Sequence, residues 1–359
     1  MSATATSPPA SGGLALGRAA YAVLLPVAAI LVAAAAFAIF VALYGRNPVE
    51  VFTTIYLGGF ASTFAWQNTL SRAAPLILAG LAVAIPARAG MIIIGGEGAL
   101  AFGGLAAAAT YLALPAPPLV VQAAMMFAAV LTGGLLIGLA GWLRQYRGIN
   151  ETISSLLLSY LALAVFHQLV EGPLRDPGSL DKPATAPLAP EVMLPAIPGT
   201  DIHIGLAISI AVALLAFAFI RYTVWGFTLR VVGGSAKVGR MIGLPVNRWI
   251  TGAAFAGGAM AGLAGAVEVA AVQGTASSSL IAGYGTSGIL VAFLSRQSPL
   301  AIIPVAILMG GLQASGSLLQ RRLDLPDASI LVFQGLLFVA VLVADALGQS
   351  FRDKNGGGR

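Results

Sequence analysis

The sequence predicts an all-α integral membrane protein with about ten transmembrane helices. Ten apolar stretches lie between residues 20 and 347, and the charged residues are concentrated in the gaps between them. Because a hydrocarbon core about 30 Å thick needs roughly 20 helical residues to cross it, each stretch is a candidate span. Only 9% of the 359 residues are charged and 58% are hydrophobic, which leaves too little polar surface for a soluble chain of this length.

The predicted spans follow one another through most of the chain. Their bounds are 20–43, 69–86, 97–114, 119–142, 152–170, 203–220, 249–272, 284–295, 299–319 and 326–347. The third span opens in a glycine run, and the eighth is too short to cross alone. We expect residues 1–17 to form a disordered cytoplasmic tail, residues 18–348 a single transmembrane domain and residues 349–359 a second cytoplasmic tail. The first apolar run is too long for the core of a signal peptide, so it is expected to be retained.

The lysines and arginines of the short loops predict the orientation. Loop 143–151 is basic, and loop 221–248 carries five basic residues and no acid. Loop 171–202 carries five acids against two basic residues. The first two loops are therefore predicted to lie in the cytoplasm and the third outside, which places both termini in the cytoplasm. Arg321 and Arg322 fall on the outer side, against the rule.

Two blocks of four spans, at about 69–170 and 249–348, are predicted to run in opposite directions. Each contains a segment broken by glycines, Gly90–Gly104 in the first block and Gln273–Gly288 in the second. Inverted repeats with interrupted helices in corresponding places are typical of transporters. Broken backbone at membrane depth is tolerated only where it is buried in protein or lines a wet cavity.

Glycines also let helices approach each other closely, and this alternative stays open for the broken segments. For the G-x-x-x-G pairs at 134–138 and 258–262, close packing is the favoured interpretation.

Residues for catalysis are scarce. The two histidines, His167 and His203, lie near the outer ends of spans, and neither belongs to a metal-binding motif. The chain has no cysteine and therefore no thiolate metal site. It also lacks the G-x-x-x-x-G-K-[ST] loop that cradles phosphates. We expect no catalytic residue, metal or cofactor, so transport driven by ATP would need a separate subunit.

Acids inside predicted spans are a sharper signal, since an ionised side chain at mid-bilayer costs about 2.5–3.5 kcal/mol on insertion scales. Glu97 lies between two glycines. It is either a residue of a solute path, an anchor for backbone N–H groups freed by the break, or a carboxylate favoured by a helix dipole. Glu268 is read as an interfacial acid and Asp345 as structural. The absence of a chain of acids and histidines argues against a proton-coupled carrier.

Loop 221–248 contains the small and basic run Gly233–Gly243. A short helix of small residues can enter a groove on a partner subunit, with Lys237 and Arg240 at its rim. An ordinary positive-inside loop is the alternative.

Six local strings converge on one family. They are Gly90–Gly98, Gly148–Tyr160, Gly172–Pro177, Val232–Leu244, Ser298–Gly311 and Pro326–Gly335. Over about residues 70–348 the chain resembles the permease subunits of ATP-binding-cassette importers of the ribose/branched-chain amino acid type. Within that type it is most similar to the nucleoside-uptake branch, which is served by basic-membrane-lipoprotein-type binding proteins. Asn150 and Glu151 also fit a helix N-cap and a first-turn acid.

The resemblance implies roles for particular residues. The residues that would dock on the ATPase are Ser235, Ala236, Lys237, Val238, Gly239 and Arg240. Gly95, Glu97 and Gly98 would lie beside the solute path. Ile93 and Ala99 replace an Asn and a Gln of the family pattern, and Ser235 replaces another Asn, so the exact solute stays open.

The expected function is that of a pore-forming permease subunit of an importer for a small neutral solute, with nucleosides favoured. Polar and aromatic residues of the broken segments complete the predicted path: Phe102, Gln273, Thr275, Ser277, Tyr284, Thr286 and Ser287. The expected partners are ABC ATPase subunits, a second permease chain (in a heterodimer or a homodimer) and an external solute-binding lipoprotein at a bacterial inner membrane; no nucleic acid is expected. The alternatives are a simple-sugar permease, a branched-chain amino acid permease and a stand-alone secondary carrier.

Overall fold

A computed structural model describes residues 12–179 and 182–356. Near the ends it describes the side chains of residues 27–344, 346 and 347 only. The first part of the predicted tail, residues 1–11, and the side chain of Asp345 therefore lie outside the described residues.

All ten predicted stretches are helical. The helices are α1 (Gly12–Leu43), α2 (Pro48–Gly59), α3 (Thr63–Arg88), α4 (Gly96–Ala113), α5 (Pro118–Arg147), α6 (Glu151–Glu171), α7 (Gly205–Tyr222), α8 (Val224–Gly234), α9 (Ala236–Met241), α10 (Val246–Glu268), α11 (Tyr284–Leu294), α12 (Pro299–Leu323) and α13 (Ala328–Gly356). A π-helical turn at Val269–Gln273 continues α10, and a 3₁₀ turn follows at Ser278–Leu280. The start of α1 makes residues 12–17 of the predicted tail helical, and α2 and α8 were not predicted.

The number of crossings stays below ten when length and apolarity are the criteria. Among the described residues, six helices are long and apolar enough to cross a membrane: α3, α5, α6, α7, α10 with its π-turn, and α12. The count is seven if the bent pair Val27–Leu43 and Pro48–Gly59 is one span. The helix α11 has only 11 residues, and the described apolar part of the last helix spans Ala328–Ala344. Ten full crossings therefore remain a prediction.

The described chain divides into two compact units. The first comprises the described residues 12–51 and 327–356, in which α1 and α13 pack together. Phe37 stacks on Phe333 there, with ring centroids 4.7 Å apart. The second unit, residues 52–326, contains all the elements from α3 to α12 and both broken segments.

The core of the second unit is an antiparallel pair, α3 and α10. Arg72 of α3 attracts Glu268 of α10 at one end of the pair, while Gly257 of α10 lies against Pro86 of α3 towards the other. The helix α3 also contacts α11 and α12, which follow α10 in the chain, and α10 contacts α4 and α5, which follow α3. The first helix of each predicted repeat, α3–α5 and α10–α12, thus packs on the later helices of the other repeat, as inverted repeats predict.

Small residues set the distance between α5 and α10. A side chain at Gly258 would overlap the carbonyl of Gly133, and one at Gly262 would overlap the carbonyl of Ala129, both on α5. Gly134 and Gly138 of α5 accept the ring of Phe255. The close-packing interpretation of both G-x-x-x-G pairs is therefore confirmed.

Candidate functional site

The first break, which we define as residues 90–95, is held by a row of hydroxyls on α6. Residues 91–94 have no regular structure, so their backbone groups need partners outside a helix. Thr152, Ser155 and Ser159 supply them from one face of α6. Their partners are, in that order, the carbonyl of Ile92 at 2.9 Å, the amide of Ile94 at 3.3 Å and the amide of Gly98 at 2.8 Å.

The glycines of this break are required by its closeness to α6. A side chain at Gly95 would overlap the carbonyl of Ser155, and one at Gly98 would meet the backbone of Ser159. The predicted path residues Gly95 and Gly98 thus form a packing surface against α6.

The loop before α6 closes the break at its other end. Asn150 Oδ1 accepts the amide protons of Thr152 at 2.9 Å and Ile153 at 3.2 Å, so the N-cap interpretation of Asn150 is confirmed. One terminal nitrogen of Arg144 donates to Glu151 at 2.7 Å and to the carbonyl of Gly90 at 2.8 Å.

The second break, residues 269–283, is held mainly by backbone from the loop between α6 and α7. The π-turn leads to Gly274 and the segment ends at Gly283, both in the left-handed region that favours glycine. Residues 184–194, which we call the strap, run along this segment. The strap amides of Thr185, Leu188 and Leu194 donate to the carbonyls of Ala276, Gly274 and Ala270 at 3.0, 2.8 and 2.7 Å.

Side chains tie the strap to the neighbouring helices. The hydroxyl of Thr185 accepts from the amide of Ala276 at 2.9 Å. Gln122 of α5 donates to the carbonyl of Val192 at 3.1 Å, and Tyr111 of α4 accepts from the amide of Ala189 at 3.1 Å. The strap therefore satisfies backbone groups that the second break leaves without helical partners.

Glu97 joins the two breaks. Its carboxylate accepts the amide protons of Gly283 at 2.8 Å, Gly285 at 2.6 Å and Thr286 at 3.3 Å, at the N-terminus of α11. The backbone of Gly285 lies so close to Gly96 and Glu97 that a side chain there would overlap them. Of the roles considered for Glu97, the structure shows that of an anchor for backbone N–H groups. These N–H groups lie at the start of α11 and not in the break next to Glu97. The α11 dipole favours the same arrangement.

A polar network lies beside this junction. The Nε of Arg72 donates to Asn68 Oδ1 at 3.4 Å, and its guanidinium is hydrogen bonded to the hydroxyl of Tyr284. Glu268 attracts Arg72 and accepts from Gln273 Nε2 at 3.1 Å. Glu268 is only 2% exposed, so its reading as a simple interfacial acid is wrong.

The predicted path residues differ in their exposure. Tyr284 is buried in the network, Gln273 is half-buried and Thr286 is exposed. Ser287 is buried on α11 and accepts from Gln313 Nε2 of α12 at 3.1 Å, whereas Phe102 is half-buried on α4.

Sequence reasoning missed Arg72, Asn68 and Gln313. Arg72 is a charge inside the predicted span 69–86, which is the same signal that drew attention to the intramembrane acids. A search for bases as well as acids within the spans would have found it.

The predicted docking segment forms two short helices joined at Ser235. The hydroxyl of Ser235 caps α9 by accepting from the amide of Val238 at 3.3 Å. Its members differ in exposure: Lys237, Val238 and Arg240 are exposed, Ser235 and Ala236 are half-buried, and Gly239 is buried. Met241 and Ile242 follow with 77% and 61% exposure, so the surface combines basic and apolar side chains.

The end of α8 touches the first break. A side chain at Gly233 would overlap the carbonyl of Arg88, and Gly90 lies against the carbonyl of Gly233. Arg88 also donates to the carbonyl of Gln297 at 2.9 Å. The end of α8 is thus in direct backbone contact with the end of α3.

The two histidines have different surroundings. His167 is half-exposed, and its Nδ1 lies 3.5 Å from Oε1 of Glu171, one turn later on α6. His203, just before α7, is buried, with its Nε2 3.3 Å from the carbonyl of Ser71. Burial lowers the pKa of His203, and the contact with Ser71 opposes this effect.

An all-helical membrane chain whose broken helices meet beside a polar network has the architecture of a membrane permease. The chain belongs to the family described as branched-chain amino acid transport system / permease component, whose model matches residues 65–342. The predicted family resemblance is confirmed.

Curated relatives cover most of the chain. A glucose ABC transporter permease protein of Haloferax volcanii is 29% identical over 89% of this chain and 87% of its own length. A guanosine ABC transporter permease protein of Bacillus subtilis is 28% identical, with coverages of 88% and 92%. A probable riboflavin import permease protein of Treponema pallidum is 23% identical over 87% and 83%.

Among solved structures, PsaBC from Streptococcus pneumoniae in complex with Fab is 15% identical. It covers 81% of this chain and 95% of its own, with a TM-score of 0.49, which is too distant to carry an argument. The family and the relatives identify the chain as a multi-pass permease subunit of an ABC importer.

Proposed function

We propose that this permease imports nucleosides and that ATP is hydrolysed on a separate subunit. The observation that carries the proposal is the charge-compensated polar network beside the junction of the two broken helices. Such a site offers hydrogen bonds to a solute without presenting a net charge, since Arg72 lies by Glu268 and Glu97 is bound to amides. A neutral solute rich in hydroxyls and ring nitrogens fits this chemistry.

The solute path is proposed to run past six polar and aromatic side chains, of which Thr286 is exposed and the others are half-buried. They are Asn68, Arg72, Phe102, Gln273, Thr286 and Gln313. The ring of Phe102 offers a face for stacking a base. Guanosine- and nucleoside-named relatives, from Bacillus subtilis and Lactococcus lactis at 28% and 26% identity, support this choice of solute.

Movement is proposed to begin at α8 and α9. An ATPase subunit would dock on the exposed surface of α9, and α8 would push on the end of α3 through the contact of Gly233 with Gly90. Loops 143–151 and 221–248 are then cytoplasmic, the strap faces outward toward a binding lipoprotein, and both termini lie inside. A second permease chain, in a heterodimer or a homodimer, completes the transporter.

A sugar is the second candidate solute. It is favoured by the glucose-named relative, which matches 89% of the chain. A hexose would use the same hydrogen-bonding groups but would gain nothing from selective recognition of a base edge.

Uptake by the assembled transporter distinguishes the candidates. The gene would be deleted in its host and restored on a plasmid, and initial uptake of labelled guanosine, uridine and glucose would be compared. We expect the restored gene to recover nucleoside uptake. Recovery of glucose uptake alone would replace the nucleoside with the sugar.

A reconstitution tests the dependence on a partner ATPase. Proteoliposomes containing the permease chains, with and without the ATPase subunit, would be supplied with ATP and the loaded binding protein. Uptake is expected only with the ATPase present, and equal uptake in its absence would show a secondary carrier.

A further inference from the structure

We infer that Arg72 binds the solute directly and recognises the ring edge of a 6-oxopurine nucleoside such as guanosine or inosine. The inference rests on the proposed nucleoside function and deepens it. Arg72 lies within α3, nine residues after the helix begins at Thr63. A charged residue at such a depth is costly in a membrane, so its retention calls for a partner and a role.

The protein holds the guanidinium in a fixed position while leaving part of it available. Tyr284, which is buried on α11, binds one part, and Asn68, one turn earlier on α3, accepts from Nε at 3.4 Å. Within the described residues these two side chains are its hydrogen-bond partners, whereas a guanidinium carries five N–H groups in a planar fork. The half-buried Arg72 therefore retains donors for a solute.

The charges around Arg72 select against an anion. Glu268 compensates Arg72 and is itself held by Gln273 at 3.1 Å. Glu97 is occupied by amides at the start of α11. The available groups of Arg72 thus face the solute as hydrogen-bond donors with their charge already balanced, and they favour a neutral molecule with paired acceptors.

A 6-oxopurine provides that pair. Its O6 and N7 atoms are both acceptors on one edge, and the arginine fork matches them with two parallel hydrogen bonds. Adenosine has N7 on the same edge but a donor amino group in place of O6. Arg72 therefore prefers guanosine and inosine to adenosine.

Direct binding separates this role from a structural one. The purified transporter complex in nanodiscs, without the binding protein, would be titrated with radiolabelled guanosine and with radiolabelled adenosine. Arg72→Lys keeps the charge that Glu268 needs but removes the fork. We expect its Kd for guanosine to rise by about tenfold while its Kd for adenosine changes by less than about twofold. An equal loss for both nucleosides, or no loss for either, would overturn the inference.

Two further variants protect the result from a folding defect. Arg72→Gln combined with Glu268→Gln removes both charges together, so no unpaired acid is left, and it should show the same loss of preference. Arg321→Gln, at the exposed end of α12, should bind both nucleosides like the wild type. Wild-type protein that binds both nucleosides equally overturns only the role of Arg72. Wild-type protein that binds neither contradicts the nucleoside function itself.

Discussion

The first and second breaks interrupt corresponding helices of the two repeats, but different groups hold them. Side-chain hydroxyls of α6, a neighbour within the same repeat, bind the first break. Backbone amides of the strap, which belongs to neither repeat, bind most of the second. The first break also touches α8 at Gly233. In the proposed mechanism, the first break would therefore receive the movement of α8, whereas the strap would control the second break.

The largest effect is expected at Glu97, the only described side chain that we find joining the two breaks by hydrogen bonds. Glu97→Gln loses a charged acceptor for three amides, and hydrogen bonds to charged groups contribute about 1.5–3 kcal/mol each. Initial uptake should fall by more than about tenfold, with a lower Tm for the purified protein. Glu171→Gln, an exposed acid at the end of α6, is the control. Similar losses in both variants would contradict the junction role.

A second large effect tests whether the first break receives the movement. Lys237→Glu combined with Arg240→Glu reverses the charge of the exposed face of α9, so co-purification of the ATPase should fall by about tenfold or more. Arg221→Glu, an exposed base at the end of α7, should retain the ATPase. Unchanged co-purification in the double variant would remove α9 from the docking surface.

A matched pair of smaller changes compares the two supports directly. Ser159→Ala removes one hydrogen bond to the start of α4, directly after the first break, and Thr185→Val removes one hydrogen bond to the second break. Each should cost about 1 kcal/mol. Hydrogen exchange should rise at residues 90–98 in the first variant and at residues 269–280 in the second. Exchange that rises at both breaks in either variant would show that they open as one unit.

The smallest effect concerns the dependence of stability on pH. His203 is buried near the second break, beside Val267, and its pKa is lowered by that burial. The folded chain therefore holds a neutral imidazole, while the unfolded chain binds a proton near pH 6.5. Stability should be fully present above that pH and fall as the pH is lowered through it. His203→Gln should flatten the dependence of Tm on pH between 7 and 5, and an unchanged slope would assign it to other groups.

The apolar pattern was sufficient to predict where helices form, because each membrane helix satisfies its own backbone and needs only a long apolar run. Glycines marked both breaks correctly. The pattern did not reveal α2 and α8, which are short, or that α10 widens into a π-turn at Val269–Gln273. Full crossings were harder to count, because α11 begins in the middle of a broken segment.

The site was less predictable, since its contacts join distant parts of the chain. Glu97 and Gly285 are separated by 188 residues, and no local pattern indicates which amides a buried carboxylate will bind. The strap contains no motif, because its contacts with the second break are mainly made by backbone that any sequence supplies. Arg72 was visible as a charge within a span, but its partner Glu268 follows only from the antiparallel packing of α3 and α10, and its partner Tyr284 only from the packing of α11 on α3.

The hydrogen bonds of Glu97 have a mechanical consequence. Separating the starts of α4 and α11 would leave a carboxylate and three amides without partners in a low-dielectric interior, and that penalty is large. In the proposed mechanism, the starts of α4 and α11 would therefore stay together at this junction while other parts of the permease move.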